Sequence, residues 1–402
     1  MGRRQPGTLW WPLTLVTLGH FVVDFYMAVA PAIMPTLAAR LGLSLTLAAS
    51  VLTVGSVFSS FSQPVFGYFI DRWATSRWLV LSAAWTGLFI SLIGVAPSYW
   101  ALVFLALAGG LGSALYHPLG SVTASALAGA GNRGLAMSIY STGGSLGYSL
   151  APILVVPLVA GAGLVGMTWL ALIGFLCAVL LQAFGVGRVK LRAGDGGAHQ
   201  PGVASFWGEI APRLRTLILL NVVVGLRAWA QMAVIYLIPF YYSQRLNETG
   251  ASYLLTTFLM AGTLGGLIGG FLSDRLGRKR VLIGTTLLAM PFLFVAFIGT
   301  GWWLWGMMFV GGFFLQAAFP ATIVFAQELI PNSAGFASGL TMGLAWGLGA
   351  FGLTLTGYIG DQLGMLAGLN SVLVLLMLAA VASAPLPMVM AAGGSASGGE
   401  GV

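Results

Sequence analysis

Twelve apolar runs, each long enough to cross a bilayer as a helix and separated by charged or turn-forming residues, constrain this chain more than any other feature. A hydrocarbon core of roughly 30 Å takes about 20 helical residues. The runs fall at 9–36, 44–70, 78–95, 99–128, 134–159, 162–186, 215–242, 250–273, 280–300, 302–328, 334–360 and 364–390. They are continuously apolar and lack the alternation of barrel strands, so an all-α membrane protein is expected. Hydrophobic residues make up 58% of the chain and charged residues 6%, against about a quarter charged in soluble proteins. A water-soluble enzyme is excluded, and each of the few charges becomes either a loop residue or a functional one.

The net charge of +8 comes from short basic groups between the apolar runs, which fits membrane topology better than nucleic-acid binding. With the N-terminus inside, fourteen basic residues between Arg3 and Arg280 fall on the cytoplasmic side and only Arg40 and Arg245 outside. Both termini are therefore expected in the cytoplasm. The expected division is a six-helix half at 1–187, a cytoplasmic linker at 188–214, a second six-helix half at 215–390 and a low-complexity, disordered tail at 391–402. Arg3 and Arg4 before the first run resemble a signal peptide, but no clean cleavage site follows, so the run is taken as an uncleaved helix. The lone cysteine, Cys177, has no partner for a disulfide, and no Cys/His cluster has metal-ligand spacing, so neither a metal nor a cofactor is expected.

An internal repeat links the halves. "GYFIDRWATSR" (Gly67 to Arg77) aligns with "GFLSDRLGRKR" (Gly270 to Arg280) at an offset of 203, each after an even-numbered helix. Two similar six-helix halves with a substrate site near midplane form a transporter architecture. With its loop motif "GGFLSDRLGRKR", the chain resembles the major facilitator superfamily over all twelve helices. Within it, "GHFVVDFYMAVAPAIMP", "GLGSALYHPLGS", "STGGSLGYSLAP" and "VFAQELIP" are similar to the fosmidomycin-resistance-type exporters. That resemblance implies a bacterial cytoplasmic membrane, alternating access, and a cavity lined by helices one, four, seven and ten. One chain holds both halves, so a monomer is expected to function.

Few ionisable residues lie inside the apolar runs. An ionised group at the bilayer centre costs roughly 2.5–3.5 kcal/mol even on the cheaper scale, which singles out Asp24 in the first helix as a proton or substrate site. His20, four residues earlier, shares its face and is a candidate relay. Adding the offset of 203 to 24 gives Arg227, in helix seven, so pseudo-equivalent positions hold an acid and a base. These two are expected to face one another across the halves, and a guanidinium suits an anionic substrate. The alternative is an internal ion pair that keeps the halves in register. His117, before Pro118 in helix four, with Gln316, Gln231, Trp229 and Tyr236, completes the expected substrate site. The resemblance implies gating by Asp71, Arg72 and Arg77 in one half and by Asp274, Arg275, Arg278 and Arg280 in the other, paired across helix ends. Glu328, at the cytoplasmic end of helix ten, is accounted for by interfacial solvation.

Gly262, Gly266 and Gly270 form a GxxxGxxxG face expected to carry close helix packing. Gly143-x-Ser145-x-Gly147 and Gly347-x-Gly349-x-x-Gly352 imitate a nucleophile elbow and a dinucleotide fingerprint, but both lie in apolar helices without a preceding strand. No enzyme is expected. The reading is a proton-coupled exporter of small drugs or metabolites, with small-molecule substrate, protons and lipid as its partners. A proton-coupled importer of organic anions is the alternative, because a proton on Asp24 would free a paired Arg227 for an anion and favour co-transport.

Overall fold

The computed structural model describes residues 9–73, 76–128, 133–189, 203–331 and 334–388. Its helices are α1 (Trp10–Leu41), α2 (Leu45–Trp73), α3 (Arg77–Leu92), α4 (Tyr99–Leu127), α5 (Arg133–Ala162), α6 (Ala171–Ala183), α7 (Val203–Ile210), α8 (Leu214–Leu276), α9 (Arg278–Ile298), α10 (Gly301–Ala317), α11 (Phe319–Leu329), α12 (Ala334–Gly339), α13 (Ala345–Leu363) and α14 (Met365–Ser383). No strand occurs among the described residues.

Among the described residues, eleven helical stretches are long and apolar enough to cross a membrane. One of them contains two passes, because α8 breaks at Asn247 (φ 63°, ψ 174°) into 214–246 and 248–276, which restores the twelve passes of the sequence pattern. Asparagine tolerates a positive φ, and the Asn247 Oδ1 accepts the Gly250 N–H at 2.9 Å, capping the second piece. The loop expected between 242 and 250 is thus a one-residue break. Two further passes are interrupted helices: α10 gives way to α11 at Ala318, ahead of Pro320, and α12 reaches α13 through a π-turn at Leu340–Leu344. The linker expected at 188–214 contains α7, whose Phe206 packs edge-on against Phe336 at 5.1 Å. The tail at 391–402 lies outside the described residues.

Helices α1, α3, α4, α5 and α6 pack on one another with α2 against α4, while α8 gathers α9, α10, α13 and α14. The two sets meet where α2 lies on α13 and where α1 and α5 lie on α8. Lipid solvates the outside: Leu172, Leu176 and Val179 of α6 are 59%, 60% and 61% exposed. Inside, helices approach almost backbone to backbone. A Cβ at Gly265 would fall 2.1 Å from the Phe313 carbonyl oxygen, and one at Gly269 would fall 1.9 Å from that of Ala317. The close face of α8 is therefore Gly262, Gly265 and Gly269. Gly266 and Gly270 of the expected stripe have only Pro320, at 3.6–3.9 Å, because α8 turns the neighbouring positions toward α10.

Polar contacts between the two sets cluster from mid-depth to the expected outer side. The Asp361 carboxylate, at the end of α13, accepts the backbone N–H groups of Leu45 and Thr46 at 2.8 Å each and the Thr46 hydroxyl at 2.5 Å. It thereby caps the N-terminus of α2, where unpaired N–H groups and the helix dipole favour an anion. The Tyr236 hydroxyl donates to the Leu45 carbonyl at 2.5 Å, and Thr36 donates to Glu248 at 3.3 Å. Deeper, Thr53 donates to the Ala350 carbonyl at 2.8 Å, and Ser149 lies 3.3 Å from Thr263.

Candidate functional site

Residues four apart on a helix share a face, and α1 presents His20 and Asp24 together toward α4 and α5. The His20 Nδ1 bonds the Tyr140 carbonyl at 2.8 Å. A carbonyl only accepts, so this nitrogen carries a hydrogen. The His20 Nε2 lies 3.3 Å from Asp24 Oδ2 and 3.1 Å from His117 Nδ1, and the His117 Nε2 lies 3.3 Å from Asp24 Oδ1. The three side chains thus close a ring of polar contacts. One nitrogen of each histidine and an Asp24 oxygen lie within 4.8 Å of one another, a set that could hold a metal ion, and the contacts of 3.1–3.3 Å among the three side chains equally suit shared protons.

The surroundings fix the ring in place. Tyr140 stacks on the His20 imidazole at 4.1 Å and 14°. Gly144 of α5 leaves no space above it: a Cβ there would fall 2.4 Å from Asp24 Oδ2 and 2.5 Å from His20 Cε1. The side chains of Asp24 and His117 remain 17% and 29% exposed while that of His20 is 9% exposed, so the site is approached past His117. His117 precedes Pro118, which has no N–H for the helical bond four residues back and loosens α4 there.

Arg227 does not meet Asp24. Its guanidinium, buried at 6% exposure, donates to the Thr286 hydroxyl of α9 and the Leu315 carbonyl of α10. No carboxylate among the described residues pairs with it. Of five guanidinium N–H donors, two are used. Burying such a cation costs several kcal/mol unless it is compensated, and Arg227 lines a small cleft with Gln231, Gln316, Thr322 and Trp346. Lining that cleft together, Arg227, Gln231 and Gln316 form one group. Trp229 instead donates to Thr356 at 2.8 Å and packs over Gly352, while Tyr236 ties α8 to Leu45; neither lines the cleft.

The gating charges of the second half pair within that half. Arg278, 5% exposed, donates to Asp274 of α8, to Glu328 of α11 at 3.0 Å and to Ser273 at 2.8 Å. These partners belong to its own half, so the cluster ties α8, α9 and α11 together. Glu328 gains a partner that interfacial solvation did not foresee. Arg275 lies 4.3 Å over the Phe271 ring, and Arg280 and Arg77 are exposed. Asp71 and Arg72 fall in the last turn of α2, with their side chains outside the described residues.

A model of the Major Facilitator Superfamily matches residues 16–352, and again 220–397. The chain belongs to the major facilitator superfamily. It is an integral membrane transporter and not an enzyme. Among curated proteins, an uncharacterized MFS-type transporter of Bacillus subtilis is 30% identical over 90% of both chains. The fosmidomycin resistance protein of Escherichia coli is 29% identical over 87% of this transporter and 86% of its own length. In fold, the transporter is similar to a bacterial homolog of the human lysosomal transporter Spinster solved in an inward-facing, occupied conformation, with TM-score 0.79, 14% identity, and 93% and 96% of the two chains covered.

Tyr140, Thr286 and Asp361 went unseen in the sequence, and Glu328 was seen without its partner. Tyr140 acts through its carbonyl, which carries no residue-type signal, and Thr286 is one hydroxyl in an apolar run. Asp361 and Glu328 find partners 316 and 50 residues away, at separations no local pattern reports. Asp361→Ala is expected to loosen the outer contact. Single-cysteine probes placed at Thr36 or Leu45 should then label several-fold faster from outside, and unchanged labelling would remove Asp361 from the closure.

Proposed function

We propose that this transporter is a proton-coupled exporter working by alternating access, with protons held at Asp24 and His20 and the substrate at Arg227, Gln231 and Gln316. The observation that carries the reading is the separation of the two charges: Asp24 lies in the first half against two histidines, while Arg227 lies in the second half, beside a cleft, with no carboxylate partner among the described residues. An Asp24–Arg227 ion pair was the basis for co-transport, in which protonation frees the arginine. With no such pair, that basis falls away. A substrate that is anionic at one end engages Arg227, and a hydrogen-bond donor at its other end satisfies Asp24 in place of the site's proton. Proton and substrate then compete, which is the requirement for antiport. The fosmidomycin resistance protein among the relatives supports export.

The basic loops support a cytoplasmic placement of both termini. On that orientation the contacts through Asp361, Tyr236 and Glu248 lie at the outer side, where an inward-facing state must be closed. The gating role proposed for the Arg278 cluster is to hold the inner ends of the second half as one body while the halves rock.

The test uses everted vesicles with an imposed interior-acid gradient and a panel of small anions, including a phosphonate antibiotic, beside cationic dyes. Substrate-dependent collapse of the gradient with a small anion is the expected result. Substrate movement that follows the proton in the same direction would establish import by co-transport instead.

A further inference from the structure

We propose that the proton of the coupling site resides on His20, as an imidazolium held between Tyr140 and Asp24, and that His117 belongs to the proton site rather than to the substrate site. The inference takes its purpose from the proton-coupling reading above, and its evidence from hydrogen-bond accounting alone. Each contact in the ring needs one hydrogen between its two atoms. The Tyr140 carbonyl already fixes a hydrogen on the His20 Nδ1. The His20 Nε2 then faces Asp24 Oδ2 at 3.3 Å and His117 Nδ1 at 3.1 Å. If Asp24 is ionised, a second hydrogen on His20 serves both contacts, and a neutral His117 donates from Nε2 to Asp24 Oδ1 at 3.3 Å. Every contact is then satisfied, and aspartate and imidazolium cancel in charge.

The other assignments each leave two lone pairs or two hydrogens opposed. A carboxylic acid donating from Oδ2 to His20 places the lone pair of His20 Nε2 against that of His117 Nδ1 when His117 donates to Asp24. Turning the His117 hydrogen to Nδ1 leaves only one carboxyl hydrogen for the two imidazole nitrogens that face Asp24. A second added proton, on His117 Nδ1, sets two N–H groups against each other at 3.1 Å. The ring therefore holds one added proton. The Tyr140 ring, parallel to His20 at 4.1 Å, supplies an aromatic face suited to a cation.

The other titratable groups facing the ring are weak acids: Tyr116 of α4, whose hydroxyl donates to the Val16 carbonyl at 2.8 Å, and Tyr140 and Tyr148 of α5, with Cys177 of α6 farther away. From α3 the charged residue is Arg77, at the far end of that helix. Of the charged residues of α8, Arg227 is the one near the middle of a pass, and it is turned to Thr286 and Leu315. Loss of the proton leaves the bare His20 Nε2 facing a carboxylate and another lone pair, so the contact between α1 and α4 opens at Pro118.

The chain has three histidines, His20, His117 and His199, so 15N-histidine labelling of the full-length protein in lipid nanodiscs resolves them, with His199→Gln for assignment. At neutral pH the wild type should show both nitrogens of His20 protonated and His117 protonated at Nε2 only. Asp24→Asn should move the His20 Nε2 signal into the unprotonated range. A wild-type His20 with an unprotonated Nε2, or an imidazolium that persists in Asp24→Asn, would overturn the proposal. The wild-type spectrum decides even where the variant fails to fold. Proton-coupled flux with a neutral His20 would sink this inference and leave the exporter reading standing; an imidazolium His20 in a protein without proton-coupled flux would do the reverse.

Discussion

Asp24→Asn is expected to abolish substrate-driven proton movement, lowering it by more than about tenfold, the loss that a single ion contact of 1.4 kcal/mol or more produces. The amide matches the carboxylate in size, so the helix packing around Gly144 is retained. It differs in charge and in hydrogen-bond direction: one of its ends donates, and that end faces an imidazole nitrogen that already holds a hydrogen in the wild type. Substrate exchange without a gradient should persist in weakened form, because the Arg227 cleft is untouched while the substrate's donor meets an amide oxygen in place of the carboxylate. Counterflow of labelled substrate beside gradient collapse in the same vesicles separates the two effects. Collapse at wild-type rate in Asp24→Asn would remove the carboxylate from the coupling.

Arg227→Gln is expected to weaken anion transport by roughly 10–100-fold in half-saturating concentration, the equivalent of one charge-assisted hydrogen bond of about 1.5–3 kcal/mol. Arg227→Lys keeps the charge but loses the planar fork, so an intermediate loss is expected. Thr286 and Leu315 anchor the guanidinium in the wild type, so some loss of stability accompanies both variants. Monodisperse protein with normal proton binding but weakened anion uptake assigns the effect to the substrate. Equal anion affinity in wild type and Arg227→Gln would show that the cation only holds α8 to α9 and α10.

The passes were legible because each apolar run carries its own solvation requirement, and the offset of 203 exposed the repeat. Asp24 and His20 were legible for a related reason: a charge in an apolar run has few explanations, and i, i+4 spacing fixes the shared face. His117 was visible as a residue but not in its position, since its place beside Asp24 depends on how α4 packs on α1. Asp24 and Arg227 occupy equivalent positions in the repeat without touching, because pseudo-symmetry relates where residues sit in each half and not which way their side chains turn. Helix rotation likewise moved the close glycine face to Gly265 and Gly269, a difference of one residue that composition does not reveal. Asp361, reaching the start of α2 from the end of α13, shows the general limit: contacts between the halves are set by rigid-body docking of helices far apart in the chain.

Competition between proton and substrate is the central claim, and a pH-sensitive dye in a weakly buffered suspension of the purified transporter tests it most directly. Adding a saturating anionic substrate from the panel should release on the order of one proton per transporter, and Asp24→Asn should release none. Proton uptake on substrate binding would contradict the account, because substrate would then favour the protonated site and the transporter would carry both in the same direction.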